Sequence, residues 1–132
     1  MAFGAATLIT ALGKAVLARR MIGATSAQAE PNYIGIGTGA TAAARTAALA
    51  DTALSAPAES RIVGTSSTST TTVSNDTYQS VATFNMTAAR SVDEAMMFDA
   101  ASAGNSFFSS TFGVITLSIG DSLQLTCKTQ FT

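Results

Sequence analysis

Residues 115–131 read ITLSIGDSLQLTCKTQF, and this stretch decides the fold class. Apolar and polar residues alternate on both sides of Gly120-Asp121, a pair of residues that favours turns. Alternation with a period of two predicts strands that bury one face and leave the other in water. The sequence therefore predicts strands over Ile115–Ile119 and Leu123–Phe131, joined as a hairpin.

Similar signals occur upstream of this stretch. Between Thr77 and Met86 the alternation predicts a half-buried strand, and shorter strands are expected at Arg61–Thr65 and Glu94–Asp99. One face of the first of these strands should carry Tyr78, Ser80, Ala82, Phe84 and Met86, and the other should carry Gln79, Val81, Thr83 and Asn85. Several short strands separated by turns indicate an all-β protein, an antiparallel β-sandwich of jelly-roll or Ig-like type.

Two polar segments of this β-rich region are expected to be loops. Asn75-Asp76 and Asp99–Asn105 carry residues that favour turns. The Ser/Thr tract from Thr65 to Thr72 fits either a flexible loop or an exposed strand, because threonine is β-branched. These segments would be the most variable part of the surface, where binding residues are often found.

A glycine-rich motif precedes the β-rich region. Residues 31–39, PNYIGIGTG, predict a short strand that runs into a tight glycine turn. Gly35 to Ala40 nominally fits a dinucleotide fingerprint, but such a site needs a βαβ unit and an acidic residue about 20 positions further on. Asp51 comes too early, so a structural turn is preferred, followed by a loop with at most a short helix over residues 40–56.

The first residues predict a helix over 4–21. Alanine is frequent there, and an apolar stripe ends near two arginines that suit the negative end of a helix dipole. We expect residues 1–30 to form a helical arm and residues 31–132 to form the sandwich domain. The arm packs either on its own sheet or on a neighbouring subunit. In the second case the protein-interface residues would be Leu8, Ile9, Leu12, Val16, Arg19 and Arg20.

The composition favours a protein that works by assembly. Charged residues make up 11% of the 132-residue chain, against about 25% in an ordinary domain, and hydrophobic residues make up 47%. Little charge means little repulsion between copies or partners. With a net charge of −1 and scattered basic residues, the chain is not expected to bind nucleic acid. Its apolar first segment is shorter than the roughly 20 residues of a membrane span, so no membrane partner is expected either.

Candidates for catalysis and metal binding are few. The sequence has no histidine, which excludes the usual nucleophile–base pairs and the commonest metal ligand. Cys127 lies on the apolar face of a predicted strand and is expected to be a core residue. Asp93 and Glu94 are the only adjacent carboxylates, and we expect them to mark a turn and a strand edge. We therefore predict a protein that is not an enzyme, with no catalytic, cofactor-binding or metal-binding residues and no cofactor.

Five short motifs resemble those of small virion structural proteins of tailed bacteriophages. The resemblance covers roughly residues 31–132. Its motifs are YIGIGTG at 33–39, DTAL at 51–54, VATF at 81–84, EAMMFD at 94–99 and GDSL at 120–123. The chain departs from the usual pattern at Met96-Met97, where a Gly-Leu pair is more common.

This resemblance implies a β-sandwich component of a virion, made in the host cytoplasm. The leading hypothesis is a capsid cement or decoration protein that binds and stabilises the major capsid protein lattice as a small homo-oligomer. The alternative is a tail or tail-fibre protein with a host-binding role. In that case the contact surface would be formed by the loops at Thr65–Asn75 and Asp99–Asn105.

Overall fold

The computed structural model describes residues 8–23, 29–39 and 53–131. Within them the chain forms eight strands and one helix. In chain order these are β1 (Leu8–Ile9), α1 (Ala11–Met21), β2 (Tyr33–Gly37), β3 (Ile62–Val63), β4 (Thr65–Ser69), β5 (Thr77–Asn85), β6 (Arg90–Phe98), β7 (Ser106–Leu117) and β8 (Ser122–Gln130).

The strands form two antiparallel sheets. The larger sheet has the order β1-β7-β6-β2-β3, and the smaller has the order β4-β5-β8. The chain passes from one sheet to the other three times: at Gly64, between β3 and β4, then between β5 and β6, and again between β7 and β8. The prediction of a mostly β protein with antiparallel sheets is therefore confirmed, and the described residues also contain one short helix.

A single apolar core lies between the two sheets. The smaller sheet contributes Phe84 and Leu125, and the larger sheet contributes Ile34, Ile36 and Met97, all fully buried. The predicted half-buried strand is confirmed as β5: Ser80, Ala82, Phe84 and, just after the strand, Met86 are buried, and Tyr78 is half-buried. The alternate positions, such as Thr83 and Asn85, face water.

The predicted hairpin between β7 and β8 is wrong. The two strands belong to different sheets, and β8 pairs with β5 over nine residue pairs from Ser122↔Asn85 to Gln130↔Thr77. The turn is real: Gly120 has a φ of 87°, and its N–H donates to the Met86 carbonyl at the end of β5. Period-two alternation specifies which face of a strand is buried, and it carries no information about which strand is the partner.

The larger sheet is covered on both faces. Residues Val92–Phe98 of β6 are all buried, although a strand with one wet face would alternate. The outer face carries a second apolar cluster in which Leu54 packs on Met96 and Phe98, with Tyr33 beside them. The segment around residues 54–58 therefore forms a cover over this face of the sheet.

The predictions for the glycine motif and for the acidic pair need correction. Gly35 and Gly37 lie inside β2, paired with Met96 and Glu94, and do not form a tight turn. Asp93 and Glu94 lie in the middle of β6, 1% and 0% exposed, and do not mark an edge. Gly37 and Glu94 are linked in space, because a Cβ on Gly37 would overlap the Glu94 side chain. Because Gly37 has no side chain, the Glu94 side chain fits beside it, and its Oε1 atom accepts the Ala56 N–H at 3.1 Å.

The N-terminal helix is shorter than predicted. It begins at Ala11, and Leu8 and Ile9 form a strand paired with Ser109 and Phe108 of β7. Thr10 begins the helix as its N-cap, because its Oγ1 atom accepts the Gly13 N–H at 3.1 Å. The same hydroxyl donates to the Ser106 carbonyl at 2.7 Å, which attaches the start of the helix to β7. Residues 4–7 of the predicted helix, and residues 40–52 of the predicted loop, lie outside the described residues.

Candidate interaction surface

The structure separates the six predicted interface residues. Val16 is 6% exposed and belongs to the main core, and Ile9 packs against that core. Leu12 and Arg19 are exposed, and Leu8 and Arg20 are described by their backbone alone. Of the two interpretations left open by the sequence, packing of α1 on its own sheet is thus observed for one face of the helix.

Apolar side chains at both ends of α1 are left uncovered by the described residues. Leu12 is 39% exposed, and Met21 and Ile22 at the end of the helix are 88% and 79% exposed. Scattered exposed apolar residues are normal on a protein surface. Three of them on and just after one short helix, in a chain with few charges, indicate a surface suited to contact with another protein.

A groove of about 450 Å³ lies beside this helix. Its apolar lining comes from Val16 and Leu17 of α1, Tyr78 of β5, Phe107 of β7 and Phe131. The Tyr78 ring stacks on Phe108 with 6.3 Å between ring centroids, and Phe107 meets Phe108 edge-on at 4.5 Å. Sequence reasoning missed this groove, because its walls come from segments that are far apart in the chain.

The β4–β5 loop stands at the same end of the sandwich. Thr65–Ser69 is strand β4, so the exposed-strand interpretation of the Ser/Thr tract is correct for its first half. The rest of the loop is organised by the Asp76 carboxylate. This carboxylate accepts the N–H groups of Thr71, Thr72 and Val73 at 2.8–2.9 Å and the Gln130 side-chain amide at 2.8 Å. The turn predicted at Asn75-Asp76 is confirmed, and this carboxylate is what stabilises it.

The β6–β7 loop is organised in a similar way by Asp99 and Arg61. Asp99 accepts the backbone N–H of Asn105 at 2.7 Å and its side-chain amide at 2.9 Å. The Arg61 guanidinium lies 3.3 Å from the centre of the Phe98 ring and donates to the carbonyls of Ala100 and Ala103. The loop is therefore attached to the outer face of the larger sheet, and its predicted turn is confirmed.

The stability of the β4–β5 loop should depend on pH through Asp76. The Val73 N–H first, then those of Thr71 and Thr72, hold the pKa of this carboxyl well below its ordinary value. A group with a lowered folded-state pKa stabilises the fold above its unfolded pKa of about 3.9, and this contribution is lost as the pH falls toward the folded value. We expect Asp76→Asn to lower the melting temperature at pH 7, with the difference from wild type shrinking below about pH 4.

This expectation is checked by thermal melts of both proteins, followed by circular dichroism, from pH 7 to pH 2. Asp121→Asn is the matched control. The Asp121 carboxylate also accepts a backbone N–H in a turn, that of Ser118 at 2.7 Å. The Asp76 carboxylate, in contrast, accepts three such N–H groups. A gap between Asp76→Asn and wild type that stays constant down to pH 2 would contradict the assignment.

Cys127 is the one thiol of the sequence, and it lies in the core. The Cys127 thiol is 2% exposed, and burial raises its pKa well above the ordinary value, so the nucleophilic thiolate is disfavoured. The described residues contain no group of three or more metal-ligating side chains. They also contain no helix that is long and apolar enough to cross a bilayer.

Comparison with known proteins gave no relative. The sequence matches no protein-family model, and no significant match was found among the curated proteins or the solved structures. The function must therefore be argued from the surface itself.

Proposed function

We propose that this protein is a structural component of a tailed-bacteriophage virion that cements or decorates the capsid by binding the major capsid protein. The observation that carries the proposal is the set of exposed apolar side chains at the two ends of α1, Leu12 at its start and Met21 and Ile22 at its end. One side of this helix is held by its own sheet, so these side chains are presented from a fixed support. Apolar side chains on a fixed helix suit docking between capsid subunits, because little conformational freedom is lost on binding.

Three further features support an assembly role. The low share of charged residues reduces repulsion within a crowded lattice. The phage-like motifs fall on structurally important positions: the glycine motif on β2, VATF on β5 and EAMMFD on the doubly buried β6. The proposal includes a jelly-roll or Ig-like architecture for the sandwich and the absence of any enzymatic activity.

Incubation of purified protein with capsids that lack their decoration protein tests this function directly. Co-sedimentation, with cryo-EM density between capsomers in which α1 faces the capsid, is the expected result. An absence of binding to capsids at micromolar protein would contradict the cement role.

Leu12→Asp is expected to abolish capsid binding while leaving the sandwich folded. Leu12 is exposed and lies in the first turn of α1, where a carboxylate is favourable to the helix dipole. The introduced charge would oppose burial of this position against another protein. Co-sedimentation with capsids measures the loss of binding, and circular dichroism measures the fold.

Ile119→Asp is the matched control for this variant. Ile119 is also apolar and exposed, but lies in the turn at the opposite end of the sandwich. We expect it to bind capsids as wild type does. Equal binding by wild type and Leu12→Asp would exclude Leu12 as a contact, and unfolding of Leu12→Asp would show that this position belongs to the core.

A tail or tail-fibre role with host binding is the second candidate. It is favoured by the two predicted contact loops, each of which is held in shape by its own aspartate. Preformed loops lose little entropy when they bind a receptor. Binding of the purified protein to host envelopes, with no binding to capsids, would support this candidate over the cement role.

A further inference from the structure

Strand β8 is an open edge of the smaller sheet. It pairs with β5 along one side, and no strand within the described residues pairs with its other side. Such an edge presents backbone N–H and C=O groups at the spacing of a further strand. The other sheet edges are much shorter: β1 and β3 have two residues each and β4 has five, whereas β8 has nine.

The edge at β8 lacks the usual features that prevent strand pairing. Natural proteins protect open edges with proline, bulges, clustered charges or short strands. The sequence of β8, SLQLTCKTQ, has no proline and a single charged residue, Lys128. Its register with β5 runs without a shift from Ser122 to Gln130, so no bulge bends the strand away.

This strand is complementary to itself in one antiparallel register. Pairing all nine residues with a second copy puts Thr126 opposite Thr126 at the twofold axis. On the core face Leu125 then meets Cys127, so apolar residues continue from one copy to the other. On the wet face Lys128 meets Gln124, so the two lysines are not opposite each other.

We propose that two copies of this chain pair antiparallel along β8, with Thr126 at the axis, to form a continuous six-stranded sheet with the order β4-β5-β8-β8-β5-β4. The partner is a second copy of this chain for two reasons. The backbone of the edge can form hydrogen bonds with a further strand, and in the antiparallel register Leu125 lies opposite Cys127 and the polar residues of the wet face lie opposite polar residues. The interface is isologous and closes as a dimer, leaving no free β8 edge. It does not depend on the proposed capsid role, since it involves neither α1 nor the major capsid protein.

Sedimentation velocity of the full chain over a range of concentrations tests the dimer. Wild type should sediment as a dimer that dissociates on dilution. Thr126→Lys should sediment as a monomer at the same concentrations, because it puts two ammonium groups opposite each other at the axis. The matched control is Ser67→Lys, which adds the same charge to the exposed face of β4 at the other edge of this sheet and should remain dimeric.

A cross-linking experiment tests the register independently of stability. Under mild oxidation, Thr126→Cys should form a covalent dimer, because directly opposite Cβ atoms lie within about 4.5–5.5 Å. Gln124→Cys should not, because its counterpart across the interface is Lys128. The native Cys127 is buried and should stay reduced in both variants.

Three results would overturn the proposal. Wild type could be monomeric at all concentrations, Thr126→Lys could dimerise as wild type does, or Gln124→Cys could cross-link as readily as Thr126→Cys. The first result would leave the edge unpaired, and the other two would place any dimer interface elsewhere. Capsid binding is not measured in these experiments, so their failure would not bear on the cement role.

Discussion

Phe84→Ala is expected to lower the free energy of unfolding by about 3–5 kcal/mol, the usual cost of removing a buried aromatic ring. Phe84 is 0% exposed, lies at the middle of the core and pairs with Leu123 of β8. Its loss leaves a cavity between the two sheets, which rigid strands cannot fill by moving together. Because a domain has only about 5–15 kcal/mol of stability, this variant should unfold at a far lower urea concentration.

Urea titration followed by circular dichroism measures the change. Thr83→Ala is the matched control, because Thr83 is the neighbouring residue on the same strand and faces water. We expect it to change the stability by less than about 0.5 kcal/mol. Similar losses in the two variants would show that the core face of β5 is not the one described.

Gly37→Ala is the second change with a large expected effect, although it adds one carbon atom. The new Cβ would lie 2.7 Å from the Glu94 Cγ and 2.8 Å from its Cδ, closer than real Cβ contacts occur. The carboxylate would have to move from under the 54–58 segment and release the Ala56 N–H. Overpacking costs about 1–3 kcal/mol, and the part-buried Ala56 N–H would lose its partner at a further cost.

A double-mutant cycle distinguishes this mechanism from a general intolerance of alanine at Gly37. In the Glu94→Ala background the obstructing side chain is absent, so Gly37→Ala should cost less than half of what it costs in wild type. Gly113→Ala serves as the control, because a Cβ there meets nothing within 4 Å and no positive φ is involved. Urea titration of the four proteins and the control measures these differences, and equal costs in both backgrounds would reject the mechanism.

The sequence predicted which face of a strand is buried far better than which strands pair with each other. On β5 and β8 the alternation correctly identifies Phe84, Leu123 and Leu125 as buried. It could not show that Gly120-Asp121 joins two different sheets, because a hairpin and a crossing between sheets need the same turn residues. That choice depends on Met86, which forms backbone hydrogen bonds with both Gly120 and Asp121.

The outer face of the larger sheet shows a second kind of failure. An acidic pair is normally exposed, so the sequence predicts that Asp93-Glu94 marks a turn and a strand edge. The burial of Glu94 depends on Gly37 and on the N–H of Ala56, which are distant in sequence. For the candidate surface, Leu12 could be identified as part of an apolar helix, whereas the groove beside it depends on Phe107 and Phe131 meeting in space.

The passage of the chain from one sheet to the other between β7 and β8 has a consequence for biosynthesis. During translation β4 and β5 emerge early and can form a hairpin, but β5 finds its second partner only when Ser122–Gln130 have been made. Until then the smaller sheet lacks β8, and the apolar side of the hairpin, which carries Ala82 and Phe84, is only partly covered. Such long-range pairing slows folding, so the nascent chain should depend on chaperones most strongly while β6 and β7 are being translated.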